Sequence, residues 1–177
     1  MEFQIEPAES EEEAKSDTPE EYVRLLSRNK AAEVASRHAK EQVLVIGADT
    51  IVVCDGQILG KPKDREDAAW MLHLLSGRTH QVYTGVSCIV SDGSAFGEFS
   101  FSECTDVEMY ELSDVEIEEY LDTPEPYDKA GAYAIQGRSA VFIRRICGDY
   151  YNVVGLPIGK LMWELKMNTC YFAESIL

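Results

Sequence analysis

Val23, Leu26, Lys30 and Val34 recur at the spacing of one helix face, and Thr18-Pro19-Glu20-Glu21 ahead of them supplies an N-cap, a proline at the first helical position and a capping-box glutamate. A helix is therefore predicted from Thr18 to about Ala39, with a lysine unusually placed on its inward stripe. The pattern then changes. Val43-Leu44-Val45-Ile46 and Ile51-Val52-Val53 are β-branched runs too short for helices, broken by Gly47-Ala48-Asp49-Thr50. Their near-continuous apolar character predicts strands buried on both faces, as in the middle of an α/β sheet.

Asp55-Gly56 is a tight-turn signal and Gly60-Lys61-Pro62 a loop. Asp64 caps a second helix that carries Ala68, Met71, Leu72 and Leu75 inward and ends at Gly77. Strand-like patterns follow over Val82–Val90 and Phe96–Tyr110, with Ser91-Asp92-Gly93-Ser94 as the turn between them. Ser113-Asp114-Val115-Glu116 is a capping box opening a short helix to about Leu121. A polar, glycine-containing loop, Asp128 to Gly137, precedes a predicted strand Ala140–Ile146, a turn Cys147-Gly148-Asp149 and a returning strand Tyr150–Val154. Pro157 starts a closing helix through about Lys166. This order predicts a single α/β domain over residues 1–177 with an elongated mixed sheet flanked by helices.

Length and composition agree with a globular chain: 177 residues, 45% apolar and 27% charged. No apolar stretch is long enough for a transmembrane helix, and the acidic N-terminus is unlike a signal peptide, so the expected compartment is the cytoplasm. With 16 Lys+Arg against 32 Asp+Glu, the formal charge of −16 would repel a nucleic-acid backbone. Half of it lies in residues 1–21, where nine acids (Glu2, Glu6, Glu9, Glu11, Glu12, Glu13, Asp17, Glu20, Glu21) face one base, Lys15. Most of these acids read as a solvated, mobile loop. The 5 cysteines are odd in number and never spaced as CxxC, which argues against a disulfide framework and a structural zinc site.

Asp49, between two apolar runs, requires a partner, a metal or exposure at a strand end; it either caps backbone in the Gly47-Ala48 turn or serves catalysis or metal binding. Lys30 could snorkel from its apolar face, Lys61 could be a solvated loop lysine, and Gln136 could be a loop amide bonded to backbone. Together with Asp128-Lys129 they supply three lysines and several carboxylates, a set suited to phosphates held by ammonium groups with a divalent cation bridging oxygens. His38, His73 and His80 form no ligand pair and read as structural or surface residues, and Cys54 and Cys88 as small buried hydrophobes. No GxSxG, Walker loop or GxGxxG is present.

Gly47-Ala48-Asp49-Thr50-Ile51-Val52-Val53, then Ile58-Leu59-Gly60-Lys61-Pro62, then Leu75-Ser76-Gly77-Arg78-Thr79-His80 and Thr84-Gly85-Val86, closely resemble the Maf family of nucleoside triphosphate pyrophosphatases. Asp128 to Gly137 and Gly148-Asp149-Tyr150-Tyr151-Asn152-Val153-Val154-Gly155-Leu156-Pro157 match it in the same order. The resemblance implies a fold like the inosine triphosphate pyrophosphatases, hydrolysis of a nucleoside triphosphate to monophosphate and pyrophosphate, a divalent cation (Mg²⁺ or Mn²⁺), and a homodimer. By the same resemblance Asp49 is the catalytic carboxylate, Lys30 and Lys61 bind phosphate, and Glu12 holds the metal with Asp49. Thr50 and Gln136 match the subgroup that prefers dTTP and UTP.

The resemblance also implies a departure. The family opens with a strand and a Ser-x-Ser-Pro-Arg-Arg loop, whereas here Met1-Glu2-Phe3 stands where that unit should be finished, and Arg24, Arg28 and Arg37 lie on a different helix. The expectation is a chain missing its first strand and acting as a weak or inactive pyrophosphatase. The alternative is a non-catalytic nucleotide-binding or regulatory protein related to division or septum formation.

Overall fold

The computed structural model describes residues 3–9, 15–92 and 96–168. Five strands, β1 (Gln42–Cys54), β2 (Gln57–Leu59), β3 (Thr79–Asp92), β4 (Phe96–Met109) and β5 (Ile143–Cys147), form one sheet in the order β2-β1-β3-β4-β5. β2 lies antiparallel on β1, with Val53 opposite Ile58, and β5 lies antiparallel on β4, with Val107 opposite Ile146. The helices are α1 (Pro19–Arg37), α2 (Arg65–Leu75), α3 (Asp114–Leu121), α4 (Tyr150–Val154) and α5 (Ile158–Asn168). The chain is thus the expected α/β fold.

Helix starts follow their local signals. The side chains of Thr18, Asp64 and Ser113 accept hydrogen bonds from the backbone N–H groups of Glu21, Asp67 and Glu116, each satisfying a donor that the first helical turn leaves open. At Ser113 the capping box is reciprocal, and hydrogen bonds from the Ser113 side chain and backbone hold the Glu116 carboxyl below its ordinary range. α2 buries Ala68, Met71, Leu72 and Leu75, the four positions its spacing indicates.

Several expectations are corrected. Gly47-Ala48-Asp49-Thr50 is not a break: β1 runs through it. Its first half is not buried on both faces, since Val43, Leu44 and Val45 are half-buried and Ile46 is exposed, while Ile51–Cys54 are buried. Residues 150–154 are helical rather than a returning strand: Asp149 accepts from the Tyr151 N–H as an N-cap, and Gly155, at φ 119°, provides the left-handed exit. Ala140–Phe142 belongs to a 3₁₀ turn, so β5 begins only at Ile143. The core face of α1 runs through Val23, Leu26, Ser27, Ala31 and Ala35, leaving Lys30 and Val34 half-buried beside it. Glu6 and Glu9 do not stand free: Glu6 takes Arg37 at 2.7 Å and His38 at 2.8 Å, and the Glu9 N–H donates to Glu33. Residues 93–95 of the expected β3–β4 turn lie outside the described residues.

Two compact units divide the chain. Of the described residues, the first contains 3–9, 15–49, 85–92, 96–102 and 158–168, and the second 50–84 and 103–157. In the second, Leu59, Leu72, Leu75, Val82, Val107, Ile117 and Leu121 form a continuous apolar cluster under α2 and α3. In the first, Ala31 and Ala35 of α1 pack against Ile89.

Candidate functional site

Small residues let α1 lie unusually close to the strands. A Cβ added at Gly47 would stand 2.5 Å from the Ser27 carbonyl oxygen and 2.9 Å from the Ala31 nitrogen, and one at Gly85 would stand 2.2 Å from the Val23 carbonyl oxygen. Only glycine at both positions allows backbone to meet backbone in this way. The Ser27 and Ser87 hydroxyls, 2.8 Å apart, join the same surfaces. On the side of α1 that faces Gly47, Lys30 sends its Nζ to 2.6 Å from Asp49 Oδ1. Strand alternation explains the partner: Gly47, Asp49 and Ile51 share one face of β1, and Ala48 and Thr50 share the other.

Asp49 is 7% exposed and the Lys30 side chain 26%, so the carboxylate is buried while the ammonium keeps an outlet to solvent. The lysine compensates a charge whose burial would otherwise be costly. β1 runs straight through Gly47–Thr50, so there is no turn at Asp49, and its carboxylate meets the Lys30 ammonium. A hard oxygen donor suits Mg²⁺ or Mn²⁺, and such ions are commonly held by one or two protein carboxylates plus substrate phosphates, so the donor set fits. Among the described residues no group of three His, Cys, Asp or Glu side chains gathers to hold a metal unaided. Glu12 lies outside the described residues.

Lys61, Thr50 and Gln136 belong to the second unit. Lys61 is exposed on a loop made stiff by buried Pro62 and by the Gly131 N–H, which donates to the Gly60 carbonyl at 3.1 Å. Gly131, at φ 70°, lies against Val52 of β1, where a Cβ would come within 3.1 Å of its methyls. The Asp128 carboxyl is held below its ordinary range mainly by its hydrogen bond to Lys129, with a smaller contribution from the field of Lys61.

Thr50 Oγ1 lies 2.8 Å from Thr84 Oγ1, and Thr84 Oγ1 donates to the Asn152 carbonyl at 2.8 Å. Asn152 is buried and its Nδ2 donates to the Val82 carbonyl and to Thr105 Oγ1. Gln136 is exposed, with Nε2 3.1 Å from the Tyr150 hydroxyl.

The loop that carries Gln136 is shaped by Glu125. Its carboxylate accepts from the Arg138 and Ser139 N–H groups, the Ser139 hydroxyl and the Tyr120 hydroxyl, at 2.9 to 3.1 Å. Burial alone would raise its pKa, but these four donors prevail and hold the carboxyl below its ordinary range. Gly137, at φ 87°, passes so close that a Cβ would meet Glu125 Oε2 at 2.6 Å.

Thr84, Glu125, Tyr150 and Asn152 were not singled out from the sequence as site residues; the motif Gly148–Pro157 was the available signal for the last two. Cys54 and Cys88 are buried as expected, and burial pushes the Cys88 thiol up to about 12. His80 is wholly buried within β3, its Nε2 2.7 Å from the Tyr133 hydroxyl.

A family model described as Maf-like protein matches residues 1–168. A protein of Agathobacter rectalis named dTTP/UTP pyrophosphatase is 50% identical, aligned over 93% of this chain and 86% of its own length. One of Carboxydothermus hydrogenoformans with the same name is 50% identical with the same shares of each chain. A third, from Bacillus cytotoxicus and also so named, is 50% identical over 84% of this chain and 75% of its own.

Proposed function

The chain belongs to the Maf family, and on that premise we propose that it hydrolyses dTTP and UTP to the nucleoside monophosphate and pyrophosphate. The observation that carries this reading on the structural side is the buried Asp49 carboxylate held 2.6 Å from Lys30, a paired acid and cation at the end of the Gly-Ala-Asp segment.

Water attacks the α-phosphorus, the bond from that phosphorus to the bridging oxygen breaks, and pyrophosphate leaves with the oxygen. Asp49 receives the water proton or, with Glu12, would hold the metal. A divalent cation, when bound, offsets charge on the phosphate oxygens and lowers the pKa of a coordinated water. Lys30 and Lys61 offset negative charge that develops on the phosphate oxygens, and Thr50 and Gln136 select the pyrimidine. The reading includes a homodimer in the cytoplasm. Light scattering at micromolar concentration checks the dimer.

The decisive test is pyrophosphate release by the full chain from dTTP, UTP, CTP, GTP and ATP with Mg²⁺ or Mn²⁺. Preferred turnover of dTTP and UTP is expected. A purine preference would overturn the assignment of Thr50 and Gln136, and tight nucleotide binding without turnover would turn the reading towards a non-catalytic nucleotide-binding protein.

A further inference from the structure

The short helix α4 is tied by hydrogen bonds to both side chains assigned to pyrimidine choice. On one side the Thr84 hydroxyl gives its proton to the Asn152 carbonyl, so the Thr50 hydroxyl, 2.8 Å away, must be the donor to Thr84. Thr50 thus turns only lone pairs outward. On the other side Gln136 Nε2 lies 3.1 Å from the Tyr150 hydroxyl. In this arrangement the amide nitrogen is the donor and the hydroxyl oxygen the acceptor. Tyr150 opens α4, and the helix is anchored two residues later by buried Asn152, whose Nδ2 donates at 2.9 Å to the Val82 carbonyl and at 3.0 Å to Thr105 Oγ1. The Tyr150 ring also meets Tyr151 edge-on at 5.6 Å.

A glutamine amide has a donor end and an acceptor end, and a freely turning one offers either to a ligand. With its nitrogen engaged by a tyrosine on an anchored helix, Gln136 offers the carbonyl oxygen. Uracil and thymine carry an N3–H that can donate to such an oxygen; cytosine carries a bare N3 that repels it. We infer that Tyr150 is a positioning residue for base choice: it holds the Gln136 amide with its carbonyl outward, so that the site accepts pyrimidines bearing N3–H and disfavours cytosine. This rests on the reading that Gln136 meets the base.

The test compares kcat/KM for UTP, CTP and N3-methyl-UTP in the unaltered chain, Tyr150→Phe and Gln136→Ala, with thermal melts to confirm folding. Tyr150→Phe keeps the ring and its contact with Tyr151. The expected result is a drop of about tenfold in the UTP:CTP ratio in Tyr150→Phe, the worth of one hydrogen bond, because UTP loses an oriented acceptor while CTP does not lose in parallel. N3-methyl-UTP, lacking the donor, should not share the loss that UTP shows in Tyr150→Phe. If Gln136→Ala collapses the ratio and Tyr150→Phe leaves it unchanged, or lowers all three substrates together, the positioning role is wrong. If Gln136→Ala itself leaves the ratio unchanged, the assignment of Gln136 to the base is wrong and the inference falls with it.

Discussion

Lys30 of α1 holds its ammonium 2.6 Å from a carboxylate oxygen of Asp49, and that carboxylate is buried in β1 two residues after Gly47, where α1 lies close against the strand. The pair joins a helix to a strand with the carboxylate 7% exposed and the lysine side chain 26% exposed. Each residue therefore bears on folding and, under the proposed function, on activity.

Asp49→Asn should lower dTTP turnover by about 10²–10⁴, the usual worth of a positioned base. It also leaves Lys30 without its charge partner, so melting temperature must be measured beside turnover. Lys30→Met is the more damaging change for stability, since it leaves a carboxylate that is 7% exposed without its cation. Full activity of Asp49→Asn would remove Asp49 from the chemistry.

Gly85→Ala should destabilise the protein by about 1–3 kcal/mol, because the new methyl group would meet the Val23 carbonyl at 2.2 Å and α1 would have to lift from β3. Gly60→Ala, at a position with nothing within 4 Å, is the control and should melt close to the unaltered protein. Equal melting temperatures for the two variants would show that α1 is free to shift.

Burial lowers His80 from its ordinary 6.5 to about 4, opposed by the nearby Asp106 charge. Between these values the unfolded chain binds a proton that the folded chain does not. Stability is therefore lost as pH falls from about 6.5 towards 4, by at most about 3 kcal/mol, with no further loss from this residue below that range. His80→Gln keeps a polar partner for the Tyr133 hydroxyl but does not titrate. Urea denaturation of both proteins at pH 7, 6, 5 and 4 should show the gap between them change over that window alone.

Glu125→Gln should loosen the loop that carries Gln136. An amide can offer its oxygen to only some of the four donors that now converge on the carboxylate, and its NH₂ group would face the Arg138 or Ser139 N–H. A loss of about 1–3 kcal/mol is expected, together with faster amide hydrogen exchange at Arg138 and Ser139. Unchanged exchange there would show that Gly137 and its neighbours hold the loop without Glu125.

The helix starts at Thr18, Asp64 and Ser113 were legible in the sequence because a cap is a contact between residues three apart, complete before any tertiary structure exists. The family motifs likewise picked out Asp49 and Lys61 by local order along the chain. Tyr150–Val154 was misread because aromatic and β-branched residues favour strands, although Asp149 before it and Gly155 after it are ordinary helix boundaries. Five residues are too few for side-chain propensity to outweigh both caps together with the burial of Asn152.

That Lys30 and Val34 leave the inward face of α1 was decided only by the tertiary structure. The sequence alone points to Val23, Leu26, Lys30 and Val34, since hydrophobicity is the visible signal. Val23 and Leu26 are buried as that pattern indicates, but in place of Lys30 and Val34 the helix sits on Ser27, Ala31 and Ala35, whose small side chains let its backbone approach Gly47 and Gly85. That close approach moves Lys30 to the edge of the interface, within reach of Asp49. Pairing of two charges 19 residues apart depends on how near two backbones can come, a distance set by missing side-chain atoms on both elements at once, and hydrophobic periodicity along either element carries no record of it.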